Sequence, residues 1–240
     1  MREAIILAGG LGTRLRSEVP DVPKPMAPIR NRPFLEYLLD YWIECGVKSF
    51  ILSVGYMSEK IKLHFGTKYK GAKISYSYES VPLGTGGGLL LALQKTKEQN
   101  VLVLNGDTLF KVPLIDFHKF HQKQCSIMSI SLFKFGEKER FGAVRLDENN
   151  YVTSIEPKSS DISGDANGGV YLIKVKDFID IFKNKINKKI SLEEDLIKTL
   201  INSNSNSNSN SNSNISGKLY KETFIDIGIP KDFRASSDII

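Results

Sequence analysis

Short apolar runs that end in glycine, proline or polar residues alternate along the chain with stretches whose apolar residues return every third or fourth position. Ala4-Ile5-Ile6-Leu7-Ala8, Phe50-Ile51-Leu52-Ser53-Val54 and Val101-Leu102-Val103-Leu104 read as strands buried on both faces of a parallel sheet. Leu35, Leu38, Leu39 and Trp42 mark the inner stripe of a helix that Asn31-Arg32-Pro33 opens and Cys45-Gly46 ends. Glu59 to Phe65 and Pro113 to Gln124 read as further helices. Lys73 to Tyr78 reads as a strand with Ile74, Tyr76 and Tyr78 on one face, and Ser126 to Phe133 as another. Phe141 to Val144 and Val152 to Glu156 are expected to pair around the turn Asp147-Glu148-Asn149-Asn150. Ser191, with Glu194 three residues on, has the pattern of a helix cap. Pro20, Pro23, Pro25 and Pro28 predict an extended segment from Glu18 to Ile29, with Lys24 inside it. The alternation of strands and helices predicts an α/β fold.

The length of 240 residues suits one domain over 1–240 with a core large enough to need no staple. Asn202 to Asn214 is a pure Asn-Ser alternation with no apolar side chain, which reads as a solvated loop whose length hardly matters. Hydrophobic residues make up 41% and charged residues 25%, ordinary for a soluble protein. Cys45 and Cys125 have no metal-ligand spacing, which points to a reducing, cytoplasmic home. The start leads straight into a strand, so neither a signal peptide nor a membrane partner is expected. A net charge of +6 raises the question of nucleic acid. The densest basic run, Lys183, Lys185, Lys188 and Lys189, lacks interleaved aromatics and reads as a solvated helix end, so no nucleic-acid partner is expected. The excess helps recruit anionic small substrates instead. His118 and His121 lie one helical turn apart without a third ligand, and read as surface or structural histidines.

The candidate chemistry begins where the first strand opens onto Gly9-Gly10-Leu11-Gly12-Thr13-Arg14. Glycines there let backbone N–H groups converge on an anion, and Arg14 adds a fork suited to phosphate. A dinucleotide fingerprint counted from Gly10 fails because Leu15 stands at its third glycine, and the Gly-Lys-Ser/Thr ending of an ATP-type phosphate loop is absent. A tight turn without a ligand is the remaining alternative. A second glycine-rich loop, Glu79 to Gly88, opens a helix through Leu89 to Leu93, and four glycines favour ligand contact over a plain helix entry. Asn105-Gly106-Asp107 follows a strand, where open parallel sheets place their chemistry. Asp107 there is either a metal ligand or a turn cap.

Gly9 to Leu15, followed by Pro23-Lys24-Pro25-Met26, resembles the signature of sugar-1-phosphate nucleotidylyltransferases, and matching motifs recur in order along nearly the whole chain. The resemblance implies a three-layer, Rossmann-like fold with a mostly parallel central sheet, and nucleotidyl transfer from a nucleoside triphosphate to a sugar 1-phosphate. It implies that Leu7, Ala8, Gly9, Gly10, Gly12, Thr13, Arg14 and Lys24 hold the nucleotide, with Leu83, Gly84, Thr85 and Gly86 against the base. Asn105, Gly106 and Asp107 face the same ligand in this reading, and Arg14, Lys24 and Asp107 are the catalytic candidates. Asp107, with Asp226 of the closing Asp-x-Gly-x-Pro pattern, is the implied Mg²⁺ pair. On the sugar side the resemblance implies Asn105, Glu156, Asn167, Gly168, Gly169 and Glu193, with Lys158 standing where the family's Glu-Lys-Pro order is exchanged to Glu156-Pro157-Lys158. Pro33 to Tyr41, Leu52 to Tyr56 and Pro82 to Gly87 resemble a subgroup that uses GTP and a heptose 1-phosphate. A non-catalytic nucleotide-sugar sensor on the same fold is the competing class. The sequence does not fix whether the chain acts alone or as a homo-oligomer.

Overall fold

The structure is a computed structural model and describes residues 2–136, 141–157, 163–204 and 214–239. β1 (Glu3–Leu7) leads into the first glycine loop; a 3-10 turn at Lys24–Met26 and the ribbon of β2 (Pro28–Ile29) with β3 (Arg32–Pro33) then bring the chain to α1 (Phe34–Glu44). β4 (Ser49–Val54), α2 (Ser58–Phe65), β5 (Lys68–Tyr69), β6 (Ala72–Tyr78) and α3 (Gly84–Leu93) follow. β7 (Asn100–Asn105), β8 (Thr108–Phe110), α4 (Leu114–Gln124) and β9 (Met128–Phe135) come next. β10 (Val144–Leu146), β11 (Val152–Ile155), β12 (Gly164–Lys174) and α5 (Val175–Phe182) lead to a wide helical turn, Leu192–Ile197, that runs into α6 (Lys198–Asn204). β13 (Ile215–Tyr220), β14 (Phe224–Asp226) and α7 (Pro230–Ile239) close the chain.

The central sheet runs β11-β10-β12-β7-β1-β4-β6-β5, with β9 on β12 and β13 on β9. Its middle, β7-β1-β4-β6, is parallel; β12 joins β7 antiparallel, and β9 in turn pairs antiparallel with β12. Alternation along the strands separates two cores. Leu104, Ile6 and Leu52 form a row in one, packed with Leu38, Trp42 and Phe65 from α1 and α2; Val103, Ile5 and Ile51 form a row in the other, with Leu89 and Phe178 from α3 and α5. Three layers result. The chain steps outward from β1 to β4 to β6 and then returns through α3 to β7 on the opposite side of β1. That reversal puts α3 on the opposite face from α1 and α2, as one handedness of crossover requires. It also opens a crevice at the carboxyl ends of β1 and β7, the switch point where such sheets bind ligands.

Three expectations change, and one strand is new. Lys24 sits in a 3-10 turn rather than an extended segment, because Pro25 inside it fits the φ of a single turn. The second glycine loop is shorter than expected: helix α3 already begins at Gly84. Helix α6 takes in Asn202 to Asn204, held in part by the Ser203 hydroxyl donating to the Leu200 carbonyl (2.9 Å), while 205–213 lie outside the described residues. Strand β13, unforeseen, pairs parallel with β9.

β13 also accounts for the setting of His121. His121 is buried, and its Nδ1 lies 2.7 Å from the Ser129 hydroxyl, which lies 2.9 Å from that of Ser216 on β13. Burial, with the positive charge of Lys174 second, pushes the His121 imidazole down to about 4. The unfolded chain takes up this proton near pH 6.5, but the folded protein refuses it until about pH 4. Stability is therefore expected to fall by about 3 kcal/mol between those limits and flatten beneath them. His121→Gln should flatten that part of the pH profile; urea titrations from pH 8 to pH 4 that give parallel wild-type and variant profiles would refute the assignment.

Candidate active site

The tightest crossing in the crevice lies between the loops that follow β1 and β7. Gly106 N–H donates to the Leu7 carbonyl at 3.0 Å, and a Cβ on Gly106 would stand 2.6 Å from that oxygen. Only glycine fits there. Asn105 and Asp107 are thereby held opposite the Gly9–Arg14 loop, in an open cleft of about 690 Å³. In that loop Gly12 takes φ +59° and packs on Lys24, while Gly10 has nothing within 4 Å of where a Cβ would be. Arg14 is exposed on the cleft and makes no ion pair among the described residues. Lys24 Nζ pairs with the Asp107 carboxylate.

The second carboxylate arrives through a ribbon. β14 pairs antiparallel with β8, which sets Asp226 opposite Thr108, and Ile227 N–H donates to the Asp107 carbonyl at 3.0 Å. Asp107 and Asp226, distant in sequence, thus stand side by side at the strand ends, and both line the cleft. Two carboxylates suit Mg²⁺, a hard cation that commonly takes one or two protein oxygens and completes its shell with water and phosphate. Among the described residues no third His, Cys, Asp or Glu joins them.

The opposite end of the cleft is built on β12. Asn167 Nδ2 donates to the Tyr171 hydroxyl at 2.8 Å and lies 3.4 Å from Glu193 Oε1. Gly168 and Gly169 stand behind this wall rather than on it. A Cβ on Gly168 would meet the Phe110 ring at 2.5 Å; Gly169, at φ +73°, would meet Asn105 Nδ2 at 2.8 Å. Glu156 reaches the cleft in a two-point pair with Arg145 (Nε to Oε1 2.8 Å, Nη2 to Oε2 2.6 Å), whose guanidinium holds its carboxyl below the usual range. Lys158 lies outside the described residues.

Of the other expected nucleotide residues, Leu7, Ala8, Gly9, Thr13, Gly84 and Thr85 line the cleft, whereas Leu83 and Gly86 are buried beneath it. Several lining residues were not anticipated. Glu79 is half-buried between the two glycine loops; Oε2 accepts Leu83 N–H at 2.8 Å, and Oε1 carries no hydrogen bond from the described residues. Burial raises its proton affinity, and the Leu83 N–H partly offsets this. Tyr171 is fully buried in the cleft wall, its hydroxyl accepting Asn167 Nδ2–H, and burial raises its proton affinity. Lys189, from the run expected to be merely solvated, faces the cleft, as does Lys198, which pairs with Glu194. Their signal in the sequence was charge alone, and charge without partner geometry does not separate a cleft from a surface.

The profile of the Nucleotidyl transferase family matches residues 3–239, nearly the whole chain. The protein belongs to the nucleotidyl transferase family. Within it, the chain is 40% identical over 236 residues to D-glycero-alpha-D-manno-heptose 1-phosphate guanylyltransferase of Aneurinibacillus thermoaerophilus, covering 97% of this chain and 95% of that protein. It is 39% identical over 231 residues to the enzyme of the same name from Campylobacter jejuni, covering 96% of each. The crystal structure of HddC from Yersinia pseudotuberculosis superposes with a TM-score of 0.83 at 31% identity, over 100% of this chain and 99% of that one; the same protein complexed with GMP-PN gives 0.82. A putative glucose-1-phosphate thymidylyltransferase from Bacillus anthracis shares the fold at TM-score 0.81 and 18% identity. Among the described residues of this family member, no helix is long and apolar enough to cross a membrane.

Proposed function

We propose that this single-domain protein transfers a guanylyl group from GTP to D-glycero-alpha-D-manno-heptose 1-phosphate, giving GDP-heptose and pyrophosphate. The observation that carries nucleotidyl transfer is the juxtaposition, at one switch point, of an open glycine cradle, two cationic side chains and two carboxylates. The choice of base and sugar rests on full-length similarity to proteins named heptose 1-phosphate guanylyltransferases. The product is an activated sugar for surface or capsular polysaccharide, made in the cytoplasm.

The chemistry needs no covalent nucleophile. An oxygen of the sugar phosphate attacks the α-phosphorus in line while pyrophosphate leaves, and the protein contributes alignment and charge. Arg14 and the loop amides hold the triphosphate, and Lys24 leaves its pair with Asp107 to reach phosphate. Asp107 and Asp226 are the residues that would hold Mg²⁺, which when bound neutralises phosphate charge. Asn105, Asn167, Glu156 and Glu193 face the sugar, with Gly168 and Gly169 leaving room for Phe110 and Asn105 behind it. Glu79 reads the base: guanine is the base that offers two adjacent N–H donors to one carboxylate, and Glu79 has an oxygen to spare.

Pyrophosphate release measured with GTP, ATP, UTP and dTTP should favour GTP by about 10²-fold or more in kcat/KM. Glu79→Gln, which exchanges one acceptor for a donor, should shrink that preference by about 10-fold. Equal rates with UTP would remove the guanine assignment and leave the family untouched. Arg14→Ala should lower kcat by about 10²-fold, with Arg14→Lys recovering only part because a point charge cannot replace the fork. Full activity in the Ala variant would make the first glycine loop a plain turn. Asp226→Asn should fold with a near-native melting temperature yet lose both Mg²⁺-dependent turnover and Mn²⁺ binding by calorimetry; retained metal binding would exclude Asp226 from the metal pair.

A further inference from the structure

The second glycine loop is a clasp between two parts of the chain. Gly86 and Gly87 N–H both donate to the Ile190 carbonyl (3.0 and 3.3 Å), and Ile190 N–H returns a bond to the Leu83 carbonyl at 2.8 Å. Thr85 completes it: its Oγ1 accepts Leu192 N–H at 2.9 Å across a sequence separation of 107. The glycines are required by this approach. A Cβ on Gly84 would stand 2.5 Å from the Ile190 carbonyl oxygen, and one on Gly86 would stand 2.9 Å from the Ser191 carbonyl carbon. Beyond the clasp the chain is fixed at once, since Asp195 Oδ2 accepts Ser191 N–H at 2.7 Å and the Ser191 hydroxyl accepts Glu194 N–H at 3.2 Å. Lys189 and Glu193, which line the cleft, sit immediately on either side of the clasped segment.

We propose that Thr85 is a positioning residue whose hydroxyl, by holding Leu192 N–H, sets Lys189 and Glu193 along the far wall of the cleft. Its side chain therefore serves the sugar-phosphate end, although its backbone lies in the loop beside the base. The inference deepens the reading above, and rests on it for the identity of what that wall faces. An N–H left without its acceptor weakens the clasp, because a half-buried donor has nothing to replace the lost oxygen.

The test uses Thr85→Val, equal in shape but without an acceptor, and Thr85→Ser, which keeps the hydroxyl. Thr85→Val should raise KM for the sugar 1-phosphate about 10-fold, clearly more than KM for GTP, and Thr85→Ser should keep the wild-type KM for the sugar 1-phosphate. Hydrogen exchange of the substrate-free protein should show faster exchange of the Leu192 amide in the Val variant only. A rise in KM for GTP alone, or unchanged Leu192 exchange, overturns the proposal. If Thr85→Val does not fold, Thr85→Ala takes its place with the same expectations. If the wild-type chain shows no pyrophosphate release but Leu192 exchange still responds, the functional reading fails and the positioning role stands. If the wild type turns over and the Val variant matches it in both KM values, the positioning role fails and the functional reading stands.

Discussion

The site depends on one close backbone crossing, where Gly106 N–H meets the Leu7 carbonyl. Parallel pairing of β7 with β1 carries the two chains side by side as far as Leu7 and Asn105, and there they must separate into loops. A side chain at position 106 would push the loops apart, because its Cβ would stand 2.6 Å from a carbonyl oxygen that belongs to the sheet and cannot yield. With glycine there, Asp107 faces the cradle after β1. The β8–β14 ribbon then grows from the same point and brings Asp226 to it. One contact therefore sets cradle, first carboxylate and second carboxylate in a common frame.

Within that frame the charges restrain one another before any ligand arrives. Lys24 is only 11% exposed and Asp107 33%, so each is partly stripped of water, and each offsets the other's desolvation. Removing either alone leaves an uncompensated charge in a half-dry site, which mixes a folding cost with any effect on chemistry. Asp226 accepts the Gly228 N–H, a neutral donor that an amide oxygen also satisfies, so replacement by Asn keeps the shape and that hydrogen bond.

Much of the fold was legible because its signals are local. Buried parallel strands read as uninterrupted apolar runs, and α1 reads from Leu35, Leu38, Leu39 and Trp42, all fully buried. The glycine loop, Arg14, Lys24 and the Asp107–Asp226 pair were legible as residue types in order, and the structure brings them to one cleft. What was missed depends on tertiary partners. β13 carries Ser216 and Gly217 among its buried positions, so it shows no apolar stripe; its inward polarity makes sense only beside Ser129 and His121. Glu79 reads as an ordinary charged residue until the two glycine loops half-bury it. Lys189 was indistinguishable from its solvated neighbours.

The two glycine loops show why composition alone misleads about ligands. In the first, Gly10 alone borders open space and leaves room for something outside the chain, whereas a Cβ on Gly9 would run into Glu79 Oε1 and one on Gly12 would meet Lys24 Cβ at 3.0 Å. In the second, Gly84, Gly86 and Gly87 would each drive a Cβ into the backbone between Lys188 and Leu192; their missing side chains leave room for the chain itself. Glycine is also a poor helix former, yet α3 begins within this run, because the N–H groups of Gly86 and Gly87 find the Ile190 carbonyl and the packing of Leu89, Leu90 and Leu93 carries the rest. The same residue type therefore does two physically opposite things in one cleft. What separates them is whether the space beside the missing Cβ is empty or filled by chain. By that distinction Gly10 marks the open part of the first loop, and the second loop is a joint that binds the start of α3 to the segment from Lys188 to Leu192.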